Sequence, residues 1–497
     1  MTALETGIDP ALAKLADAII IPPFPGVEPP RWILEALGRG LAGVTLFSGN
    51  VLGDTSALTS SLRSACADME PVIAIDEEGG DVTRVAYADG SPYPGNAALG
   101  AVDDVALTRS VYAAIGRDLA LLGINLNLAP CADVLGSGDS PAVGTRSFGA
   151  STELVARHTA AAVFGLQGTG VAACAKHFPG HGSTGTDSHH AIATIAGSLD
   201  DVRRRDLPPF RAAINAGAAA VMPGHLRVPE LTGDRPATLS AAAITGLLRG
   251  ELGFTGVVIS DALEMKATSA VFGIPGAAAL AVAAGVDLLC LGRDTDFEVY
   301  RAVRAALVSA VTDGTLDPAR LEAAAARVTA LRTGLLASVR AGRPGPLGVS
   351  NGIGLVAARR ALRLSGSRAE ELSLSAADPL IIEVEPQENI AAGEFAWGLG
   401  PWAPVRRVDV DDLDLADILA SAAGRTLVVV VRDAIHSKGL LAQLLAARPD
   451  TILVEMGVPL WTPPSGTAYL ATYGASRASA QAAAEILGLA LPAGIST

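Results

Sequence analysis

Four of the seven histidines in this 497-residue chain fall inside one stretch, Val171 to Ala191, which reads VAACAKHFPGHGSTGTDSHHA. Lys176 and His177 follow a short apolar run, a loop carried by Pro179 and Gly180 comes next, and Asp187, Ser188, His189 and His190 close the stretch. Two chemistries fit these residue types. One is metal binding, for which His177, His181, Asp187, His189 and His190 offer nitrogen and oxygen ligands suited to zinc or manganese. The spacing argues against it, because residues four apart share a face only on a helix and Phe178-Pro179-Gly180 does not form one. The other is proton transfer. In an extended segment residues two apart point the same way, so Asp187 could orient and charge-tune His189 across Ser188, as a histidine acid or base requires.

A second reactive candidate is Asp261, in GFTGVVISDALEM (Gly253 to Met265), directly after an apolar run. A carboxylate there serves as a nucleophile, a ligand or the N-cap of a following helix. Facing a proton donor across a barrel mouth, it would complete the minimal equipment for glycosidic cleavage through a covalent intermediate.

The elements that must position these groups are short and regular. Strand candidates are Ala18–Ile21, Gly43–Phe47, Val72–Ile75, Ile124–Ala129, Val171–Ala175, Ala218–Met222, Val257–Ile259 and Val286–Leu291. Alanine-rich segments with helical spacing lie between them, among them Ser151–Gln167, with Ser151 as N-cap and Glu153 in the first turn. Eight strand–helix units predict a (β/α)8 barrel over residues 1–340. A doubly wound sheet is the competitor. The barrel is favoured because polar residues follow almost every strand (Asp76-Glu77-Glu78, Asp133, Lys176-His177, His225, Asp261) and do not gather at one switch point. Residues 341–352, AGRPGPLGVSNG, have linker composition. Residues 353–497 then restart an α/β pattern, with strands at Pro379–Val384, Thr426–Val431 and Thr451–Met456, and read as a smaller α/β sandwich domain whose strand ends carry no dense cluster.

Charge narrows the partners. With 37 basic against 51 acidic residues the net charge is −14, which disfavours nucleic acid and anionic membrane. Cys66, Cys131, Cys174 and Cys290 lie far apart with no C-x-x-C pair, as small hydrophobes in a reducing compartment do. The N-terminal segment lacks a basic n-region, and no stretch reads as a membrane span of about 20 apolar residues. A soluble cytoplasmic protein is the expectation.

Five motifs occur in order: IDEEGGDVTR (Ile75 to Arg84), GINLNLAPCADV (Gly123 to Val134), GTRSFG (Gly144 to Gly149), KHFPGHG followed by DSH, and ISDALEM. Together they resemble glycoside hydrolase family 3, and more narrowly its β-N-acetylglucosaminidase branch. The resemblance covers the barrel from Gly43 to about Leu291, with a C-terminal half similar to the α/β sandwich domain many members carry. It implies that Asp261 is the nucleophile, His189 the general acid/base and Asp187 its partner. It implies also that Lys176, His177, Asp76, Arg84 and Arg146 bind the sugar, that His225 lies near the site, and that neither metal nor cofactor is needed. Asp81 departs from a position where arginine is common, and Ser183 from one where aspartate usually follows the KHFPGHG segment. The function implied is a retaining exo-β-N-acetylglucosaminidase acting on small saccharides such as cell-wall fragments, monomeric or homodimeric. A phosphorylase of the same branch and a family 3 β-glycosidase of other sugar specificity are its nearest alternatives. A metal-dependent hydrolase or a catalytically silent carbohydrate-binding protein stands in a different class.

Overall fold

The computed structural model describes residues 9–66, 69–136, 140, 142–184, 192–195, 197–340, 352–366, 372, 374, 378–385, 392–393, 395–412 and 414–489. The chain divides into two compact units. The first comprises Met1–Glu77, Thr108–Val143 and Ala150–Gly348; the second comprises Glu78–Leu107, Gly144–Gly149 and Val349–Thr497. The second unit therefore takes two segments from within the 1–340 stretch as well as the C-terminal stretch.

In the first unit eight short strands form a parallel ring: β1 (Ile20–Ile21), β2 (Gly43–Leu46), β3 (Val72–Ile75), β4 (Leu126–Asn127), β5 (Ala172–Phe178), β6 (Ala220–Pro223), β7 (Val257–Val258) and β8 (Leu289–Cys290). Strands β2 to β7 pair in sequence order, and β8 pairs with β1. Two links complete the circle. Thr45 N donates to the Pro22 carbonyl at 3.2 Å, and Ile259 bridges Leu288 in parallel. These strands are buried on both faces, which is why they read as continuous apolar runs without alternation. Helices follow the strands in turn, including Arg31–Arg39, Thr55–Ser64, Thr152–Gln167, Leu207–Asn215 and Phe297–Thr312. Ser151 caps its helix as expected, its Oγ accepting from Leu154 N at 3.3 Å. The eightfold barrel is thus present. At the start of its last strand, wholly buried Asp287 accepts from Val258 N and pairs with Arg249, Arg320 and Arg327, tying the closing seam to the outer helices.

Two expectations need correction. Strand β5 continues through Lys176 and His177 to Phe178, ending where Pro179 cannot donate to a ladder. Among the described residues one helix, Lys266–Ala284, is long and apolar enough to cross a membrane by length and composition, with a mean hydropathy of 1.7. Its hydropathy comes largely from alanine, and it is two helical pieces joined at Gly273 (φ +62°) and Pro275. Its second piece buries Ala277, Ala278, Ala281 and Val282 within the unit.

The second unit is built on a six-stranded sheet. In chain order the strands are β9 (Arg363–Ser365), β10 (Pro379–Glu385), β11 (Arg406–Asp409), β12 (Thr426–Val431), β13 (Ile452–Glu455) and β14 (Ala468–Ala471), arranged β9-β14-β13-β12-β10-β11. All pairs are parallel except β9 with β14. Alternate residues enter opposite cores: Ile381, Val428, Val430 and Val454 one, Ile382, Val429, Val431 and Leu453 the other. That is a sheet covered on both faces, the α/β sandwich. β9, β11 and β14 escaped the sequence reading because they are short, and the first two lie exposed at the sheet edges. Contrary to expectation, the strand ends do carry a cluster. The Glu455 carboxyl accepts from the backbone N–H groups of Asp433, Ala434 and Gly457 at 2.7–2.9 Å, and burial, then the Asp433 charge, push it up to about 8. Asp81 explains why an N-terminal segment belongs to this unit. Its carboxylate accepts from Ala475 N and Thr145 Oγ1, both at 2.9 Å, and faces Arg432 at 3.5 Å.

Candidate active site

The C-terminal strand ends of the first unit hold Asp76, Lys176, His177 and Asp261. Asp76, just past β3, accepts from Lys176 Nζ at 2.6 Å; the lysine side chain is 3% exposed and the carboxylate 21%. A charged pair so nearly dry is a rigid, directional pair of hydrogen-bonding groups. The next residue along β5, His177, turns its Nδ1 to Asp133 Oδ2 at 2.7 Å. The Lys176–His177 peptide is cis, as are the bonds preceding Pro130 and Pro179. The buried Cys174 thiol, two residues earlier, senses Lys176, Asp76, Asp261 and Cys290, although burial is what chiefly raises it. Lys176, Asp76 and Asp261 thus all stand at the C-terminal ends of barrel strands β5, β3 and β7.

Asp261 lies three residues past β7, and its Oδ1 accepts from Ala262 N at 2.8 Å. The following helix begins at Lys266 with Met265 as its N-cap, so Asp261 is not a helix cap. Two further residues shape its surroundings. His225, fully buried, sets Nε2 2.9 Å from the Ala262 carbonyl and Nδ1 2.9 Å from Thr238 Oγ1. Glu264 places its carboxyl over Gly292 and accepts from Arg293 N at 2.8 Å. Any Cβ at Gly292, whose φ is +87°, would collide with that carboxyl, so the glycine makes its seat. Burial pushes Glu264 up to about 7. Its own N–H and that of Arg293 pull it down, and the Asp261 charge adds to the rise.

The KHFPGHG loop is folded around Asp133. That carboxylate, with no exposure, accepts from His177 N at 3.2 Å, His181 N at 2.7 Å, Cys131 Sγ at 3.1 Å and His177 Nδ1. Burial works to raise it, but the His177 and His181 charges and donors hold it well below the usual carboxylate range. Ser183 accepts from Arg205 Nη2 at 2.5 Å, and Arg205 in turn clasps Asp206. Asp187, His189 and His190 lie outside the described residues. Among those described, Cys131, Asp133 and His177 could offer three ligand atoms to one ion. Two ligands on a tetrahedral zinc stand about 3.4 Å apart, whereas here Asp133 Oδ2 is 2.7 Å from Nδ1 and 3.1 Å from Sγ. These are hydrogen-bond separations.

In the second unit Arg146 pairs with Glu78 through two bonds, Nε–Oε2 at 3.0 Å and Nη2–Oε1 at 2.7 Å, and both side chains are buried. Glu78 thereby fixes the guanidinium plane. Arg84 Nη1 approaches the Ala392 carbonyl at 3.4 Å. The sequence reading assigned no role to Asp133, Glu78, Glu264 or Thr238. Asp133 was visible as a polar residue after a strand, and Glu78 in a run of three acids, but neither signal names a partner.

An eight-stranded parallel barrel with lysine and carboxylates gathered at its C-terminal strand ends defines a barrel enzyme. The family model for the glycosyl hydrolase family 3 N terminal domain matches residues 33–331. The chain belongs to that family, and so to the glycoside hydrolases. It is 33% identical over 333 residues to beta-hexosaminidase A of Pseudoalteromonas piscicida, a match spanning 62% of this chain and just over half (56%) of that one. It is 38% identical over 256 residues to a beta-hexosaminidase of Stenotrophomonas maltophilia, covering 50% and 75% of the two chains. Among solved structures, a glycoside hydrolase family 3 beta-N-acetylglucosaminidase from Paenibacillus sp. str. FPU-7 superposes with a TM-score of 0.85 at 31% identity, over 97% of each chain.

Proposed function

We propose that the protein is a retaining exo-β-N-acetylglucosaminidase that removes terminal β-linked N-acetylglucosamine from small saccharides, cell-wall fragments among them, in the cytoplasm. The observation that carries the reading is the Asp76–Lys176 pair at the C-terminal strand ends, where Asp261 also follows a strand. A pyranose presents hydroxyls on every side and little apolar surface, so charged hydrogen-bonding groups held rigidly at a barrel mouth suit it. The relatives named beta-hexosaminidase and the beta-N-acetylglucosaminidase structure support the choice of sugar.

In this mechanism Asp261 attacks the anomeric carbon while His189 protonates the departing oxygen. The glycosidic bond breaks and an ester to Asp261 forms. His189 then takes a proton from water, which attacks the same carbon and releases the sugar with its configuration retained. Asp187 supports the imidazole as it gains charge. Lys176, His177, Asp76, Arg84 and Arg146 hold the hydroxyls. The roles of Asp187 and His189 rest on the motif resemblance.

The deciding experiment is incubation with p-nitrophenyl β-N-acetylglucosaminide, with and without inorganic phosphate, and identification of the sugar product. Free N-acetylglucosamine in both cases is expected. A sugar 1-phosphate as the main product would replace water by phosphate as acceptor, and no turnover beside good turnover of a β-glucoside would reassign the sugar.

A further inference from the structure

We propose that Asp133 is a positioning residue for His177, fixing a proton on Nδ1 so that the ring meets the sugar in one set orientation. The inference rests on the proposed reading of the site only for the identity of the ligand. The proton position itself follows from hydrogen bonding.

An ionised carboxylate only accepts, at about four lone-pair positions. The two Asp133 oxygens accept from at least four donors among the described residues: the backbone N–H groups of His177 and His181 at Oδ1, and the Cys131 thiol and His177 Nδ1 at Oδ2. The atom facing Oδ2 at 2.7 Å must therefore carry its proton. His181 does not compete for that role, since its Nδ1 bonds Thr184 Oγ1 at 2.6 Å. The His181 ring stands edge-on to His177 at 5.8 Å. Asp133 sits past the end of β4, and Ala132 N donates to the Lys176 carbonyl at 2.6 Å, so the carboxylate is fixed to β5 by backbone as well as side chain. One carboxylate thus sets the course of the KHFPGHG loop and the proton position on its first histidine.

A purely structural Asp133 would hold the loop without caring which nitrogen is protonated, and Asp133→Asn separates the two roles. Asparagine keeps a carbonyl oxygen for the two backbone donors. Turned to His177, its amide donates where an acceptor stood, which forces the proton to Nε2. Nitrogen-15 NMR of histidine-labelled protein reads the tautomer directly, with His177 assigned by the signal missing in His177→Gln. The wild type is expected to show a protonated Nδ1, and Asp133→Asn an unprotonated Nδ1. In the variant kcat/KM for the aryl glycoside should fall on the order of 10- to 10,000-fold, the range between an outer ligand partner and a triad aspartate. A wild-type His177 unprotonated on Nδ1 would overturn the proposal, as would a folded Asp133→Asn with wild-type kcat/KM. Should that variant not fold, the wild-type spectrum alone decides. A wild type inactive on the aryl glycoside would sink the glycosidase reading, while the spectrum would still decide the tautomer.

Discussion

His225 Nε2 lies 2.9 Å from the carbonyl oxygen of Ala262, the residue directly after Asp261. A carbonyl cannot donate, so Nε2 carries a proton, while Nδ1 meets the Thr238 hydroxyl at 2.9 Å. This places a buried imidazole as the brace of the backbone beside Asp261. His225→Ala should leave the Ala262 carbonyl and the Thr238 hydroxyl without that partner, costing about 1–3 kcal/mol of stability. It should also lower kcat by roughly tenfold or more with little change in KM, because displaced reacting groups lose rate before binding. Denaturant unfolding beside steady-state kinetics checks both, and an unchanged kcat would remove His225 from the site.

Asp261→Ala should lose turnover by at least about 10⁴-fold while folding normally, as loss of a nucleophile does. A fluorinated slow substrate should leave a sugar ester on Asp261 in the wild type, located by peptide mass. An ester on Glu77, Glu78 or Glu264 would move the nucleophile.

Glu264 supplies a pH dependence whose sign can be worked out. Its carboxyl ordinarily titrates at 4.5 and is raised to about 7 in the fold. Between those values the unfolded chain ionises while the folded one keeps its proton. The stabilisation present below 4.5 is therefore lost as pH rises towards 7. Glu264→Gln should remove that loss, gaining stability on the order of 1–3 kcal/mol at pH 8 relative to the wild type and little at pH 4. Urea unfolding of both proteins at the two pH values measures it. A gain equal at both would mean that Glu264 is ionised throughout.

Leaving groups separate the roles of the dyad. A p-nitrophenolate departs readily without a proton, whereas a sugar alkoxide does not. His189→Ala should therefore cut disaccharide cleavage far more than the first-step burst of p-nitrophenol, with Asp187→Ala milder in the same direction. Equal losses on both substrates in the first step would refute the acid/base assignment of His189.

Chelation should leave the rate unchanged. The Cys131–Asp133–His177 group is closed by its own hydrogen bonds, and the proposed chemistry uses no metal. An activity lost in EDTA and restored by zinc or manganese would revive the ligand reading of the histidine-rich loop.

The local record carried much of the architecture. Most barrel strands are short apolar runs because both their faces are buried, and each overlaps the run of Val, Ile, Leu or Ala that predicted it, although β5 runs on through Lys176 and His177. Lys176, His177, Asp261 and Asp76 were legible as candidates for a related reason: polar groups terminating an apolar run must emerge at a strand end. Partnership was not legible. Asp76 meets Lys176 across 100 residues, Arg146 meets Glu78 across 68, His177 meets Asp133 across 44 and His225 meets Ala262 across 37. Periodicity reports only which face of an element a residue occupies. Which carboxylate meets which base depends on the order of strands around the ring and their register, and a shift of one residue reverses the facing. The same reason hid the second unit's claim on 78–107 and 144–149. Asp81 and Thr145 join it through single hydrogen bonds and a shared core, contacts that leave no pattern in the chain and exist only once it has folded.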